Sequence, residues 1–261
     1  MSSRLRAIAR DTVEISERGS YSVDDREVPI AVTPAVSGTR LHLPGDELSL
    51  PAQGELPRVD VTNESTLEAT RRLGGDIAAL VFASARNPGG GFLNGAQAQE
   101  ESVARASALY PCLLAAGDFY RHHRAHEDLT YTDRVIYSPR VPVFRDDRGN
   151  LLPEPYPVSF LTAAAPNLGA ILRNQPDRAE GVPAVLLRRA ARVLQVAAAH
   201  GHRRLVLGAW GCGVFGNDPV VVAETFRNAL QDNRFFEHVV FAVLDGQKGT
   251  PALNAFAAAL A

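Results

Sequence analysis

The sequence predicts an α/β fold, a three-layer α/β/α sandwich on a largely parallel sheet, with an N-terminal extension of helix and loop. Two observations predict it. Short apolar runs, typical of strands buried on both faces, alternate with longer segments of helical periodicity. Two of these runs are each followed directly by a Gly-rich loop, where open α/β sheets hold ligands beyond the carboxyl ends of their strands.

The first part of the chain, residues 1–57, is expected to be an extension packed on the sandwich. Residues 4–16 fit a helix loosely, and Gly19 ends it. Pro, Gly and acidic residues then crowd residues 24–57, which indicates a loop-rich lead-in. Residues 58–261 are expected to form the sandwich, since they carry the alternating pattern and are long enough to bury one core.

The sandwich is expected to begin with a strand, a helix and a buried strand. Residues 58–62 alternate like a strand, and Ser65 opens a helix through a capping box that includes Glu68. Gly74 ends that helix, and residues 77–84 form a continuous apolar run. The first Gly-rich loop follows this run immediately.

The same alternation continues to the end of the sequence. The expected elements are a helix over 102–109 that is disturbed at Pro111 and resumes toward Tyr120, a strand at 134–137, a polar turn at 146–150, an apolar stretch at 157–163, a helix from Pro183 to Gly201, a strand at 205–207, a helix opened by Asp218-Pro219, and a strand at 239–244.

Composition excludes several classes of protein. The formal net charge of −2 shows no basic excess of the kind that marks proteins binding duplex DNA. Cys112 and Cys212 lie far apart without a CxxC motif, which argues against a disulfide scaffold and a cysteine-rich zinc site. No apolar run approaches the roughly 20 residues that a membrane helix requires. We therefore expect a soluble cytoplasmic protein that binds neither duplex DNA nor a membrane.

The two Gly-rich loops, at residues 89–91 and 208–217, are candidate anion sites. Glycines allow positive φ and let backbone N–H groups approach an anion without interference from Cβ, so the two loops could together enclose a diphosphate. For either loop alone, glycines that merely make tight turns remain an alternative.

Two common nucleotide motifs are excluded. Gly90 and Gly95 have P-loop spacing, but Ala96-Gln97 stands where Lys and Ser or Thr would contact phosphate and magnesium. The segment 211–216 matches G-x-G-x-x-G, yet the acidic residue expected about 20 residues later, at the end of the following strand, is missing. The loops therefore predict neither a kinase nor a nicotinamide enzyme.

Gln99, Glu100 and Glu101 follow the first loop at the expected start of a helix. Adjacent helical residues point about 100° apart, so the two glutamates cannot face each other across a substrate and must have unequal roles. One could act as general acid and then as base, provided that burial or a substrate phosphate opposes the helix dipole. The alternative is that both simply stabilise a first helical turn.

The histidines do not predict a metal site. His122 and His126 have i, i+4 spacing, but no HExxH pattern or cysteine pair accompanies them, and solvated helix residues are the more common case. Cys212 lies between two glycines with no histidine assignable as its base, so it is interpreted as a small loop residue.

The two loops carry a specific resemblance. Asn87-Pro-Gly-Gly-Gly-Phe followed by Gln99-Glu-Glu101 resembles the catalytic motif of the poly(ADP-ribose) glycohydrolases, in particular the short bacterial form. Gly211-Cys-Gly-Val-Phe-Gly-Asn217 resembles their second, diphosphate-binding loop. The similarity extends from about residue 58 to the C-terminus, and the N-terminal region also resembles the helical lead-in of the bacterial family.

The resemblance implies a macrodomain-like fold with a mixed, largely parallel sheet that binds a terminal ADP-ribose unit and cleaves the ribose–ribose O-glycosidic bond. It implies that Glu101 protonates the departing 2′ oxygen and then activates water, while Glu100 holds ribose hydroxyls. The ligand-binding residues that it implies are Asn87, Gly89, Gly90, Gly91, Gln99, Gly211, Gly213, Val214, Phe215, Gly216 and Asn217.

The resemblance also implies the partners. They are poly(ADP-ribose), the product ADP-ribose and ADP-ribosylated proteins, with no metal and no cofactor, and a monomer is expected. Three alternatives stay open: a non-catalytic ADP-ribose reader, a hydrolase of mono-ADP-ribosylated proteins, and another nucleotide-sugar hydrolase. The glutamate pair disfavours the reader, and the third alternative leaves the Gln-Glu-Glu run unexplained.

Overall fold

The computed structural model describes residues 2–260 and shows a seven-stranded sheet between two layers of helices. The helices are α1 Ser3–Arg18, α2 Val32–Gly38, α3 Thr66–Leu73, α4 Gln99–Ala106, α5 Leu109–Ala115, α6 Asp118–Ala125, α7 Leu168–Asn174, α8 Val182–Ala199, α9 Pro219–Asp232 and α10 Pro251–Leu260. The strands are β1 Ser20–Val23, β2 Arg26–Pro29, β3 Arg40–His42, β4 Arg58–Thr62, β5 Ala78–Phe82, β6 Val135–Arg145, β7 Leu151–Ala163, β8 Arg204–Leu207 and β9 His238–Ala242.

The sheet is mixed and largely parallel, as predicted. Its strand order is β3-β6-β7-β5-β8-β9-β4, while β1 and β2 form a separate hairpin. β7, β5, β8, β9 and β4 run parallel, and β6 and β3 add antiparallel strands at one side. The carboxyl ends of the parallel strands therefore meet at one edge, where a ligand site is expected.

Alternate residues of the central strand β5 pack into different cores. Ala79 and Val81 belong to a core shared with α1 to α6, whereas Ala78 and Leu80 belong to a core shared with α7 to α10. Because successive side chains of a strand point to opposite faces, this division places helices on both faces of the sheet. The three-layer sandwich is confirmed.

Local signals fixed several helix ends as predicted. Gly19 caps α1 with a left-handed φ of 79°. Ser65 and Glu68 form the predicted capping box at the start of α3, and the Asp218 side chain caps α9.

Other elements differ from the prediction. The lead-in at 24–57 was expected to be loop-rich, but it contains β2, α2 and β3, which are too short to show a clear period and are stabilised by packing. The helix expected from residue 102 begins at Gln99, and α5 includes Pro111 because the first turn of a helix needs no N–H donor there. Neither α7 nor α10 was predicted from the sequence.

The N-terminal segment packs closely on the sandwich. The buried Thr12 hydroxyl donates a 2.6 Å hydrogen bond to the Arg105 carbonyl of α4, and Asp11 forms an ion pair with Arg145. In addition, β3 pairs with β6 at the side of the main sheet. A boundary between residues 57 and 58 remains a prediction. None of the helices in residues 2–260 combines the length and the hydrophobicity that a membrane span requires.

Candidate active site

A cleft of about 970 Å³ opens at the carboxyl ends of β5, β8 and β9. The second predicted loop reaches it from the end of β8, and the Gln99-Glu-Glu101 segment that follows the first loop reaches it from the start of α4. Seven of the predicted site residues line it, namely Gln99, Glu100, Glu101, Gly211, Gly213, Val214 and Phe215. The other predicted residues, namely Asn87, Gly89, Gly90, Gly91, Gly216 and Asn217, are not among the lining residues of this cleft.

The first loop wraps the backbone around the two glutamates. Gly89 and Gly90 have φ of +68° and +59°, the left-handed region that favours glycine. A Cβ on Gly90 would lie 2.9 Å from Cδ of Glu101 and 3.0 Å from Oε2 of Glu100. Gly90 therefore lets the chain pass directly against both carboxyl groups, and its own amide donates to the Asn87 carbonyl at 3.0 Å.

Glu100 is the buried member of the pair, with 3% of its surface exposed. Its Oε2 accepts a 2.6 Å hydrogen bond from the Ser84 amide, and its buried Oε1 has no partner within residues 2–260. Burial raises the pKa of Glu100 well above its usual range, and the neighbouring Glu101 carboxylate raises it further, against the lowering effect of the Ser84 and Gly89 amides. Burial therefore opposes the helix-terminus effect at this residue.

Glu101 occupies a different environment. It is half-buried and lines the cleft, and its Oε1 accepts a 2.9 Å hydrogen bond from the Gly91 amide. The two carboxyl groups thus have different surroundings although they are adjacent in sequence, and their unequal roles remain a prediction.

Gln99 is engaged by the protein itself. Its side-chain oxygen accepts the Phe82 amide at 2.9 Å, and its nitrogen donates to the Leu80 carbonyl at 2.8 Å and to the Thr66 hydroxyl at 3.0 Å. These bonds fasten the start of α4 to β5 and α3. They fix the direction in which the following two glutamates point.

The second loop presents free backbone donors. No hydrogen bond within residues 2–260 uses the amides of Gly213, Val214 and Phe215, and the Val214 side chain is 87% exposed. Consecutive unpaired N–H groups in a turn of this kind form an anion-binding concavity.

Asn217 closes that loop from behind. Its buried Nδ2 donates to the Pro166 carbonyl at 2.9 Å and to the Gly211 carbonyl at 3.1 Å. Gly211 has φ of +73°, and a Cβ there would lie 2.6 Å from that of Ala165. The loop keeps its shape through these contacts, and Asn217 supports it rather than lining the cleft.

Some residues at the site carried no sequence signal. Tyr131 lies against Phe215, with ring centroids 6.3 Å apart, and has φ of +59°. The fully buried Arg189 holds the segment before β6 through an ion pair with Asp133 and a 2.8 Å hydrogen bond to the Thr130 carbonyl. Long-range contacts of this kind have no periodic signature.

The residues at the far end of the cleft were also not predicted from the sequence. This end lies beyond β9, where Leu244 is 70% exposed and Asp245 and Gln247 also line the wall. On the side of α3 and the β6–β7 turn, Glu64 and Asp147 complete it. Burial raises the pKa of Asp147, whose carboxylate accepts the Ser65 hydroxyl at 2.8 Å.

The titratable groups outside the glutamate pair show no grouping for metal chemistry. Within the described residues, no set of three or more His, Cys, Asp or Glu side chains is placed to hold a metal ion. His122 and His126 stack with ring centroids 3.9 Å apart. Burial raises the pKa of the Cys212 thiol to about 12, so Cys212 is protonated at neutral pH and unsuited to nucleophilic attack.

Comparison with known proteins connects this geometry to one family. Residues 9–146 match the family described as the catalytic domain of microbial-type PARG, that is, poly(ADP-ribose) glycohydrolase. A solved structure of PARG from Thermomonospora curvata is 52% identical, with a TM-score of 0.92 over 99% of this chain and 100% of that one. The same enzyme bound to the inhibitor ADP-HPD is 52% identical, with a TM-score of 0.88 over 98% and 99% of the two chains.

A more distant structure holds a ligand. PARG from Deinococcus radiodurans in complex with ADP-ribose is 47% identical, with a TM-score of 0.80 over 87% of this chain and 95% of that one. No curated protein matches the sequence.

Proposed function

The chain belongs to the microbial-type poly(ADP-ribose) glycohydrolase family, and we propose from this premise that it hydrolyses the ribose–ribose O-glycosidic bonds of poly(ADP-ribose) and releases ADP-ribose. The observation that carries the proposal is the position of Glu101, a half-buried carboxyl group in a cleft whose opposite loop offers unpaired amides to a diphosphate.

The strand order suggests how the terminal unit lies. The loop of β8 offers its amides to the diphosphate, and the glutamates beside the end of β5 meet the distal ribose. The exposed apolar surface of Leu244, after β9, then receives the adenine. Base, diphosphate and ribose thus follow β9, β8 and β5. Phe215 packs near the sugars, and Asn87 with the glycines shapes the loop around the distal ribose.

Glu101 serves as general acid and base in this proposal. Its proton passes to the departing 2′ oxygen as the bond between that oxygen and the anomeric carbon breaks, leaving an oxocarbenium-like centre. The Glu101 carboxylate then takes a proton from water while the water oxygen bonds to the anomeric carbon. ADP-ribose and the shortened polymer leave, and Glu101 is protonated again.

Glu100 binds the ribose in this proposal. It lines the cleft beside Glu101, and its environment favours the neutral form, which can donate as well as accept a hydrogen bond. The Gln99 amide is committed to β5 and α3, so its part in binding is to position the two glutamates.

The proposed partners are poly(ADP-ribose), its product ADP-ribose and ADP-ribosylated proteins, and the proposed state is a monomer in the cytoplasm. Two free cysteines, Cys112 and Cys212, accord with a reducing compartment. The fold alone would also serve an ADP-ribose reader or a hydrolase of mono-ADP-ribosylated proteins.

The test follows free ADP-ribose released from poly(ADP-ribose)-modified protein and, separately, from protein carrying single ADP-ribose units. We expect the polymer to be degraded to ADP-ribose while the single protein-linked units remain. Polymer that is bound but not shortened would establish a reader instead. Release from the singly modified protein alone would establish a mono-ADP-ribosyl hydrolase.

A further inference from the structure

Three arginines lie near the first loop, and we call them the basic strip: Arg86, three residues before Gly89, Arg124 on α6, and Arg134, just before β6. Arg124 Nη1 donates a 2.6 Å hydrogen bond to the Arg86 carbonyl, which brings α6 against the loop. Arg134 lies close enough to lower the pKa of His122 on α6 through its charge. The sheet topology gives the remaining spacing. β5 and β6 are separated only by β7, two strand spacings or roughly 10 Å.

Arg86 and Arg134 leave the sheet at the same edge as the cleft. Phe82, the last residue of β5, is paired with Ala163 at the end of β7, and Ile136 of β6 is paired with the adjacent Thr162. Arg134, two residues before Ile136, therefore projects beyond the edge from which the first loop also emerges.

No carboxylate within residues 2–260 forms an ion pair with the strip. The neighbouring acids are mostly engaged elsewhere: Asp118 pairs with Arg121, Asp128 with Arg178, and Asp133 with Arg188 and Arg189. Glu127 is exposed nearby and unpaired among the described residues. Three guanidinium groups and one unpaired carboxylate among these neighbours amount to a local positive excess in a chain whose formal net charge is −2.

The opposite end of the cleft has the other sign. Glu64, Asp147 and Asp245 line it near the end of β9. A second diphosphate would be repelled there and attracted to the strip. If the terminal unit lies along β9, β8 and β5, the polymer continues from the scissile bond beside β5 toward β7 and β6, where the strip lies.

We propose that Arg86, Arg124 and Arg134 bind the diphosphate of the ADP-ribose unit on the far side of the scissile bond. The proposal rests on the proposed function, because the direction in which the polymer leaves follows from the placement of the terminal unit. Guanidinium forks match phosphate oxygens, and two charge-assisted contacts of this kind strengthen binding well beyond a neutral pair.

The test compares binding of ADP-ribose with binding of a purified two- or three-unit poly(ADP-ribose), in a Glu101→Gln background that slows turnover. The double variant Arg86→Gln/Arg134→Gln removes two charges and leaves Arg124, which fastens the loop. Arg203→Gln, before β8 at the opposite edge of the sheet, is the control, since it removes an arginine charge that is paired with Glu237 and lies away from the strip.

We expect the short polymer to bind about tenfold more tightly than ADP-ribose, which corresponds to about 1.4 kcal/mol. The double variant should lose this preference while it keeps its affinity for ADP-ribose. Its polymer binding should also depend less steeply on salt concentration. Arg203→Gln should leave the polymer preference and the salt dependence unchanged. The proposed role of the strip would be overturned if the wild type showed no preference for the polymer, if the preference survived in the double variant, or if the affinities for both ligands fell equally. Failure of the wild type to release ADP-ribose would instead overturn the proposed function, so the two failures are distinguishable.

Discussion

Gly90 combines a left-handed backbone conformation with close packing against two carboxyl groups. Its φ of +59° is strained for any residue with a Cβ, and the space that a Cβ would occupy is filled by the carboxyl groups of Glu100 and Glu101. A Gly-rich loop was predicted at this position from the sequence. The sequence did not predict that the glycine accommodates the protein's own carboxylates, because that depends on how α4 is placed against the end of β5.

Gly90→Ala should therefore reduce kcat by at least an order of magnitude, since displacement of a reacting group by about 1 Å costs roughly a hundredfold. Gly181→Ala is the control, because no atom lies within 4 Å of its Cβ position and its φ is −77°. Steady-state kinetics of ADP-ribose release with both variants measures the effect. Equal activity of the two variants would contradict the steric role of Gly90.

The raised pKa of Glu100 predicts how stability changes with pH. In the folded protein Glu100 holds its proton to higher pH than in the unfolded chain, so stability falls as pH rises from the ordinary glutamate range toward the folded-state pKa. Glu100→Gln removes this titration. Urea unfolding between pH 4 and pH 8 should show wild-type stability declining relative to the variant as pH rises. A difference that does not change with pH would contradict the prediction.

At the scale of elements, predictions succeeded where a local rule was sufficient. The capping box of α3, the glycine end of α1 and the buried run of β5 each depend on neighbouring residues only. The prediction failed for α2, β3 and α7, which have three to seven residues and are stabilised by distant contacts. The contact between α1 and α4 is also long-range, because Thr12 hydrogen-bonds to a residue 93 positions away.

The Thr12→Val substitution tests the contribution of this α1–α4 contact to stability. The Thr12 hydroxyl donates to the Arg105 carbonyl at 2.6 Å and accepts from Arg145 Nε at 3.1 Å, so its removal leaves two buried polar groups without a partner. The free energy of unfolding should fall by about 1–3 kcal/mol. Thr33→Val, at an exposed position of α2, should change it by no more than about 0.5 kcal/mol. Equal effects in urea denaturation would show that α1 contributes no specific support to α4.

At the scale of the whole molecule, the N-terminal segment is joined to the sandwich at several separate places. Besides the contact between α1 and α4, His42 of β3 meets His200 at the end of α8, with their Nε2 atoms 2.9 Å apart, and the His200 ring stacks on Tyr137. Such a hydrogen bond needs one nitrogen as donor and the other as acceptor, so at least one ring must be neutral. This contact joins residues 158 positions apart and has no local sequence signal.

This contact predicts sensitivity to acid. Burial, and then the neighbouring His42, lowers the pKa of His200 to about 4, below its ordinary value of 6.5. Between these two values the unfolded chain binds more protons than the folded one, so stability is complete above pH 6.5 and declines as the pH falls toward 4. His200→Gln should make this decline shallower in urea unfolding, whereas the exposed His126→Gln should leave it unchanged. Identical pH profiles for wild type and His200→Gln would contradict the prediction.

The location of the site was predictable from the pattern of alternating strands and helices, which also predicted the sheet. Parallel strands bring their carboxyl ends to one edge, so the Gly-rich loops after β5 and β8 were expected at the same edge. That β5 and β8 are neighbours in the sheet appeared only in the structure. The structure alone shows that Asn217 and Gly90 pack behind the site while Glu101 and residues 213–215 line the cleft, because this arrangement depends on tertiary packing.

The most direct test of the account is the Glu101→Gln variant, assayed for ADP-ribose release from poly(ADP-ribose) and for ADP-ribose binding. Gln keeps the size of the side chain and can still accept the Gly91 amide, but it cannot transfer a proton. We predict wild-type affinity for ADP-ribose, with cleavage slowed by roughly 100- to 10,000-fold. Undiminished cleavage by this variant would contradict the assignment of proton transfer to Glu101.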